Sequence, residues 1–245
     1  MGSHPAGAGY DRHPSGYQAE NGTYRYSAMS LSENDATETI GRAADRLSGM
    51  TRADNDRPVV LSKIYTRTGD DGTTALGDMS RTRKTDPRLV AYADVEEANA
   101  AIGVALALGD LPEPVAEVLR RVQNELFDVG ADLCTPVVPN PEHPPLRVEP
   151  AAIEWLEAQC DRFNEDLKPL RSFVLPGGSP GTALLHQART VVRRAERSAW
   201  AALEAHDDVN PLTAKYLNRL SDLLFILCRV AADGDEVLWR PGGTR

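Results

Sequence analysis

A loop rich in glycine and threonine, from Lys63 to Asp78, contains the residue types that bind phosphate. Glycine permits backbone conformations that turn successive amide N–H groups toward one anion, and threonine hydroxyls and arginine add further donors. The residues expected to face a polyanion are Thr66, Arg67, Thr68, Gly69, Gly72, Thr73 and Thr74, hereafter the phosphate loop. This composition suits a triphosphate, although it is also typical of a plain turn between two elements.

The phosphate loop is not an ordinary P-loop. Gly72 and Gly77 have the glycine spacing of a Walker motif, but Asp78 and Met79 follow where that motif requires lysine and serine or threonine. Lys84 comes shortly after the loop and could either lie on the surface or reach back to the anion.

Composition excludes several classes of protein. The chain has 245 residues, enough for one principal domain, and its net charge of -9 argues against a general nucleic-acid-binding surface. Three isolated cysteines suggest neither a disulfide framework nor a zinc site. Because no apolar run reaches about 18 residues and the N-terminus lacks the basic-then-apolar pattern of a signal peptide, we expect a cytoplasmic protein without a membrane partner.

The first 57 residues differ from the rest in composition. They are rich in glycine, proline and polar residues, and no leucine, isoleucine or valine occurs before Leu31. Such a segment buries too little apolar surface to offset the entropy of ordering. We therefore predict a disordered extension over residues 1–57 and a folded domain over residues 58–245.

Helical periodicity dominates the folded domain. Apolar residues recur at steps of three and four, and proline follows Asp86 and Asn210 in the manner of helix starts. The predicted helices are Asp86 to about Leu108, Pro112 to Leu133, one that follows Pro150, about Thr182 to Ala205, and one that begins at Asn210. This pattern predicts an all-α fold, an antiparallel five-helix bundle, with brief extended pieces only near Val59–Tyr65 and Phe173–Leu175.

The fourth helix carries a stripe of charge, formed by Arg189, Arg193, Glu196 and Arg197. These residues fall within an arc of about 100° on a helical wheel. The stripe suits phosphate oxygens, because arginines outnumber acids and guanidinium forks bind phosphate well. The alternative is a solvated face with an Arg193–Glu196 ion pair.

Five sequence segments resemble the PduO-type ATP:cob(I)alamin adenosyltransferases. They are KIYTRTGDDGTTAL, YADVEEANAAIG, FVLPGGSP, HQARTVVRRAER and KYLNRLSDLLFIL, and they occur in matching order between Ser62 and Arg240. The resemblance implies a five-helix bundle that forms a homotrimer and binds ATP with Mg²⁺ at subunit interfaces. It also implies cobalamin as second substrate, a reductase as electron donor and an adenosylcobalamin-dependent mutase as client.

The resemblance assigns a role to individual residues. The phosphate loop and Lys84 correspond to the triphosphate site, and Arg189 and Arg193 correspond to the catalytic arginines that hold the nucleotide. Further matches are Glu196 and Asn218 at the nucleotide, Asp94 as the acid that pairs with Arg189 across the interface, and Phe173 as the aromatic residue on the lower face of the corrin. No metal ligands are assigned.

The implied reaction is attack of cobalt(I) on the 5′ carbon of ATP, which forms adenosylcobalamin and expels triphosphate. An alternative is a non-catalytic carrier or sensor that binds the nucleotide or the corrinoid on the same bundle. A helical interaction protein would explain the bundle, but it would leave two glycine-rich loops without a purpose.

Overall fold

The computed structural model describes residues 64–141 and 143–244. In this part of the chain the elements are β1 (Thr73–Ala75), β2 (Arg81–Arg83), α1 (Pro87–Leu108), α2 (Glu113–Leu133), α3 (Pro150–Asn164), α4 (Pro180–Ala205) and α5 (Leu212–Ala232), followed by a 3₁₀ turn at Gly242–Thr244. The predicted five-helix bundle is confirmed. The predicted extension, residues 1–57, lies outside the described residues.

Side chains cap the helices where the sequence indicated. The Asp86 carboxylate accepts a hydrogen bond from the Arg88 N–H at 2.9 Å, and α1 starts at the following proline. At α5 the Asn210 side chain accepts from the Leu212 N–H at 3.1 Å, so the helix begins two residues after Asn210 and slightly later than predicted.

Small residues let α1 and α4 pack closely. Each of these helices buries a row of alanines, which are Ala91, Ala98 and Ala105 on α1 and Ala188, Ala195, Ala199 and Ala202 on α4. α1 also packs on α2, and α5 packs on α4, α3 and α2. Because the alanine side chains in these rows are small, the two helix backbones can approach one another closely without leaving a void.

The α1–α2 turn lies against the start of α4. A Cβ on Gly181 would lie only 2.4 Å from the carbonyl oxygen of Gly109 and 2.7 Å from a methyl carbon of Leu111. No side chain fits at that distance, so glycine is required there. This close approach fixes the beginning of α4 and the loop that precedes it.

The prediction that no sheet exists was wrong for one hairpin. β1 and β2 form an antiparallel pair in which Thr73 lies opposite Arg83 and Ala75 opposite Arg81. The strands are three residues long and lack alternating apolar side chains, so hydrophobic periodicity could not reveal them. The extended piece near Phe173–Leu175 is confirmed, because Val174 forms a bridge with Leu238.

A buried carboxylate joins three parts of the chain at one end of the bundle. Asp132, fully buried near the end of α2, accepts hydrogen bonds from Arg147 Nη1 at 2.5 Å and from the Val148 N–H at 2.7 Å. Asn210 Nδ2 donates to the same carboxylate at 2.7 Å. The proline-rich segment and the start of α5 are thereby held to α2.

The neighbouring helix ends are tied by a second set of polar contacts. Arg88 is buried, donates to the Leu133 carbonyl at 3.0 Å and forms an ion pair with Asp208. His206 Nε2, at the end of α4, lies 2.9 Å from Asp86 Oδ1. Together these contacts bring the start of α1, the end of α2 and the end of α4 to one place.

Replacing Asp132 should strongly destabilise the fold. Asp132→Ala leaves a half-buried arginine and two further donors without their carboxylate acceptor, so we expect the free energy of unfolding to fall by about 3 kcal/mol. Urea denaturation followed by circular dichroism measures this change. Asp161→Ala, at an exposed position of α3, is the matched control, and equal stability of the two variants would contradict the role given to Asp132.

Candidate active site

The phosphate loop leads into the β1–β2 hairpin, and Lys84 follows the second strand. Gly72 has a φ of 82°, the left-handed conformation that glycine adopts at no steric cost. The Lys84 N–H donates to the Gly72 carbonyl at 2.9 Å, and its ammonium nitrogen lies 3.0 Å from where a Cβ on Gly69 would be. The Lys84 side chain thus lies against the loop and is also exposed, so its contact with a bound anion stays a prediction.

Hydrogen bonds within the loop already use several of its predicted donors. The hydroxyls of Thr66 and Thr68 lie 2.9 Å apart. The N–H and hydroxyl of Thr73 both donate to Asp71, at 2.9 and 2.7 Å, and these bonds lower the pKa of the Asp71 carboxyl. Phosphate binding would therefore require Thr73 to exchange one acceptor for another.

The sequence analysis missed Arg81. Its guanidinium donates to the Thr68 carbonyl at 2.6 Å, bonds the Thr73 hydroxyl and lies 3.7 Å from Asp71. Arg81 is also 45% exposed at its side chain, so it can reach an anion in the loop. The available signal was the alternation Arg-Thr-Arg at 81–83, which places both arginines on one face of a strand.

Gly77 anchors the hairpin to the end of α2. Its N–H donates to the Cys134 carbonyl at 2.8 Å, and a Cβ at this position would lie 2.1 Å from the Thr135 hydroxyl. A side chain at position 77 would force the Thr135 hydroxyl to move, so glycine allows the hairpin to lie against the end of α2.

The arginine stripe on α4 is not neutralised within the described part of the chain. Arg193 and Arg197 are exposed, Arg189 is half-buried, and none of the three forms an ion pair with a described residue. The alternative ion pair between Arg193 and Glu196 does not form, because Glu196 accepts a hydrogen bond from Asn218 Nδ2 at 2.9 Å. The stripe is therefore a concentrated positive charge beside an Asn–Glu pair.

Within one chain, Asp94 and Arg189 do not contact each other. Asp94 accepts from the Ser198 hydroxyl at 2.5 Å and from Arg194 Nε at 3.3 Å, two partners that the sequence analysis did not identify. Arg189 places its guanidinium over the Phe225 ring at 5.7 Å, and its buried Nε has no hydrogen-bond partner among the described residues. The predicted Asp94–Arg189 pair stays a prediction about two different subunits.

The phosphate loop and the stripe are far apart in the single chain. The hairpin continues into the start of α1, where Asp86 meets His206 at the end of α4. From Arg193 to His206, α4 rises about 20 Å. Residues Thr66 to Lys84 form no hydrogen bond or ion pair with the stripe in the described part of the chain. Within one chain, the two groups of residues predicted to bind the nucleotide are therefore separate, and each is hereafter called a half-site.

Phe173 lies on the surface, where it pairs with a C-terminal segment. Its ring is 77% exposed and contacts the Trp239 ring edge-on, with 6.1 Å between centroids. The Trp239 N–H donates to the Phe173 carbonyl at 2.7 Å, and the Leu175 N–H donates to Val237 at 2.8 Å. The two segments form an exposed apolar surface, hereafter the aromatic patch. Its residues are Phe173, Leu175, Val237, Leu238 and Trp239.

The thiols are unsuited to nucleophilic catalysis. Burial raises the pKa of Cys134 and of Cys160 to about 11 and that of Cys228 to about 12, so all three are protonated at neutral pH. The described residues also contain no group of three or more histidine, cysteine or acidic side chains that could hold a metal ion. In the same part of the chain, no helix is long and apolar enough to cross a membrane.

Comparison with known proteins gives consistent matches. The family model described as cobalamin adenosyltransferase matches residues 64–231. A corrinoid adenosyltransferase of Mycobacterium tuberculosis is 68% identical over 188 residues, which cover 76% of this chain and 97% of that protein. Another, from Bacillus subtilis, is 39% identical over 171 residues, covering 69% of this chain and 86% of that protein.

A solved structure shares the fold. It is a variant of a PduO-type ATP:corrinoid adenosyltransferase from Lactobacillus reuteri, complexed with cobalamin and ATP. The TM-score is 0.67 at 32% sequence identity, and the match covers 73% of this chain and 100% of that one.

Proposed function

The chain belongs to the cobalamin adenosyltransferase family, and we propose that its arginine stripe and phosphate loop bind ATP while its aromatic patch faces the corrinoid. The enzyme transfers the adenosyl group of ATP to a corrinoid, the activity for which its relatives are named. The alternative of a non-catalytic carrier is thereby set aside. The observation that carries the residue assignment is the set of three arginines without an ion pair in the described part of the chain.

The chemistry explains why unpaired arginines are useful. The electron pair of cobalt(I) forms a bond to the 5′ carbon, and the pair of the breaking carbon–oxygen bond leaves with the triphosphate. The protein supplies no nucleophile, so its contribution is to position the reactants and stabilise the charge on the departing triphosphate. Arg189, Arg193, Arg67 and Lys84 supply this charge. Glu196 and Asn218, already bonded to each other, lie beside the stripe to contact the nucleoside.

Magnesium enters this scheme with ATP. Mg²⁺ usually binds through substrate phosphates, water and one or two carboxylates, so it needs no cage of protein ligands. The lack of a metal-binding cluster among the described residues is compatible with a MgATP substrate. A reductase that supplies cobalt(I) and a mutase that uses adenosylcobalamin complete the scheme as proposed partners, and the cytoplasm stays the predicted location.

A homotrimer would unite the half-sites. Because about 20 Å of α4 separates the stripe from the loop end of its own chain, we propose that the loop of one subunit approaches the stripe of the next. Arg189 supports this arrangement, since a buried guanidinium nitrogen without a partner is costly. Asp94 of the neighbouring subunit would supply the missing acceptor.

Arg193→Ala should abolish most activity without unfolding the protein. Arg193 is exposed and forms no ion pair with a described residue, so its loss removes charge from the triphosphate rather than from the fold. We expect kcat/KM to fall by about a hundredfold or more. The assay is formation of adenosylcobalamin from ATP and chemically reduced cobalamin, with Arg162→Ala on α3 as the control. Turnover near that of the unmutated enzyme would refute the assignment.

Arg189→Ala should weaken both assembly and catalysis. If Asp94 of a neighbouring subunit is its partner, the substitution leaves an interfacial carboxylate with one cation fewer. Sedimentation velocity at decreasing protein concentration should show earlier dissociation than for Thr190→Ala, an exposed neighbour on the same helix. A trimer as stable as that of the control would rule out the pairing.

Phe173→Ala should impair reduction of cobalt more than adenosyl transfer. Removing the exposed ring lets water or the corrinoid base reach the lower face, which favours five-coordinate cobalt(II) and makes reduction harder. Activity from cobalt(II) should therefore fall much further than activity from cobalt(I), while the Kd for ATP is unchanged. Phe127→Ala, also a highly exposed phenylalanine, is the control. Equal losses from both starting states would assign Phe173 a packing role only.

A further inference from the structure

A cavity of about 240 Å³ opens beside the aromatic patch. Its wall is formed by the Val174–Gly178 segment, the first turns of α4, the end of α5 and residues 235–237. His186 lines this cavity and is only 3% exposed, yet neither ring nitrogen has a hydrogen-bond partner among the described residues. A buried polar side chain without partners is uncommon and costs free energy, which indicates a missing ligand.

The other buried polar side chains around the cavity, Thr182 and Arg229, already have hydrogen-bond partners. The Thr182 hydroxyl lies 3.0 Å from that of Ser179. Arg229 pairs with Glu236 at 2.6 Å and donates to the Lys168 carbonyl at 2.7 Å. Among the buried side chains of this wall, spare hydrogen-bonding capacity therefore rests on His186, while Asp235 is exposed.

The electrostatics favour an uncharged ligand group. Burial, followed by the nearby charge of Arg189, lowers the pKa of His186, so the ring is neutral at neutral pH and offers one donor and one acceptor. In the wall, Arg229 and Glu236 neutralise each other, so Asp235 opposes an anion, while the nearby charge of Arg189 opposes a cation. A primary carboxamide is uncharged and both donates and accepts.

The position of the cavity indicates which substrate carries the carboxamide. The cavity shares Leu175 and Val237 with the aromatic patch, which is an apolar surface suited to a flat macrocycle. Corrinoids bear uncharged acetamide and propionamide side chains around the ring. We propose that this cavity receives one carboxamide side chain of the corrinoid and that His186 is its hydrogen-bond partner. The inference rests on the proposed function of the aromatic patch.

The first test removes the proposed hydrogen bonds between His186 and the corrinoid carboxamide. Cobalt(II) cobalamin is titrated into the ATP-loaded enzyme and its binding followed by absorbance. His186→Leu should raise the Kd for cobalamin about three- to tenfold and leave the Kd for ATP unchanged, because one or two hydrogen bonds are lost. His186→Gln keeps a donor and an acceptor and should restore much of the affinity. His143→Leu, at an exposed position, is the control.

A second test needs no variant, which keeps the inference testable if His186→Leu fails to fold. Cobalamin monocarboxylic acids, each with one carboxamide hydrolysed to a carboxylate, are titrated separately into the unmutated enzyme. One isomer should bind markedly more weakly than the others, because its carboxylate would be buried beside the neutral His186 ring and near the Asp235 carboxylate. Equal affinities of all isomers and of cobalamin itself would overturn the inference.

The outcomes separate this inference from the proposed function. If the unmutated enzyme forms no adenosylcobalamin, the proposed function fails. If it does, but His186→Leu binds cobalamin as tightly as the unmutated enzyme, only the carboxamide site fails and the cavity holds water alone. A rise in the Kd for ATP without any rise for cobalamin would also overturn the inference, since it would assign the cavity to the nucleotide.

Discussion

The buried carboxylate of Asp132 is the constraint on which the geometry of the site depends. A charge removed from water must be surrounded by donors, and Asp132 obtains them from a distant arginine, a backbone N–H and an asparagine. These bonds fix the end of α2 relative to α5. At the same end of α2, the Cys134 carbonyl accepts a hydrogen bond from the Gly77 N–H. The position of the hairpin therefore depends on the contacts that Asp132 makes.

The arginine stripe carries charge that the described part of the chain leaves unpaired. On α5, Arg219 forms ion pairs with both Glu157 and Asp222, whereas the arginines of the stripe have no ion-pair partner in the described part of the chain. The cost of this arrangement is small while the stripe is exposed to water. It becomes useful when ATP excludes that water, because electrostatic interactions strengthen as the local dielectric falls.

Much of the bundle could be predicted from the sequence, because its helices have apolar periodicity and recognisable caps. The polar contacts could not, since partners such as Asp132 and Asn210 are 78 residues apart and share no pattern. The role of Arg81 was missed for a related reason, because three-residue strands give no periodic signal. Phe173 and the arginines of the stripe could be identified from the sequence through the family resemblance. The burial of His186 without a hydrogen-bond partner among the described residues could not be predicted.

The protonated state of the three cysteines has a practical consequence for studying the assembly. Maleimide dyes react with thiolates, and thiols with a pKa of about 11 to 12 contain almost none at neutral pH. A cysteine introduced on an exposed helix face would react far faster than the native ones. Fluorescent pairs could therefore be attached without first removing native thiols, and exchange of subunits could be followed in real time by energy transfer.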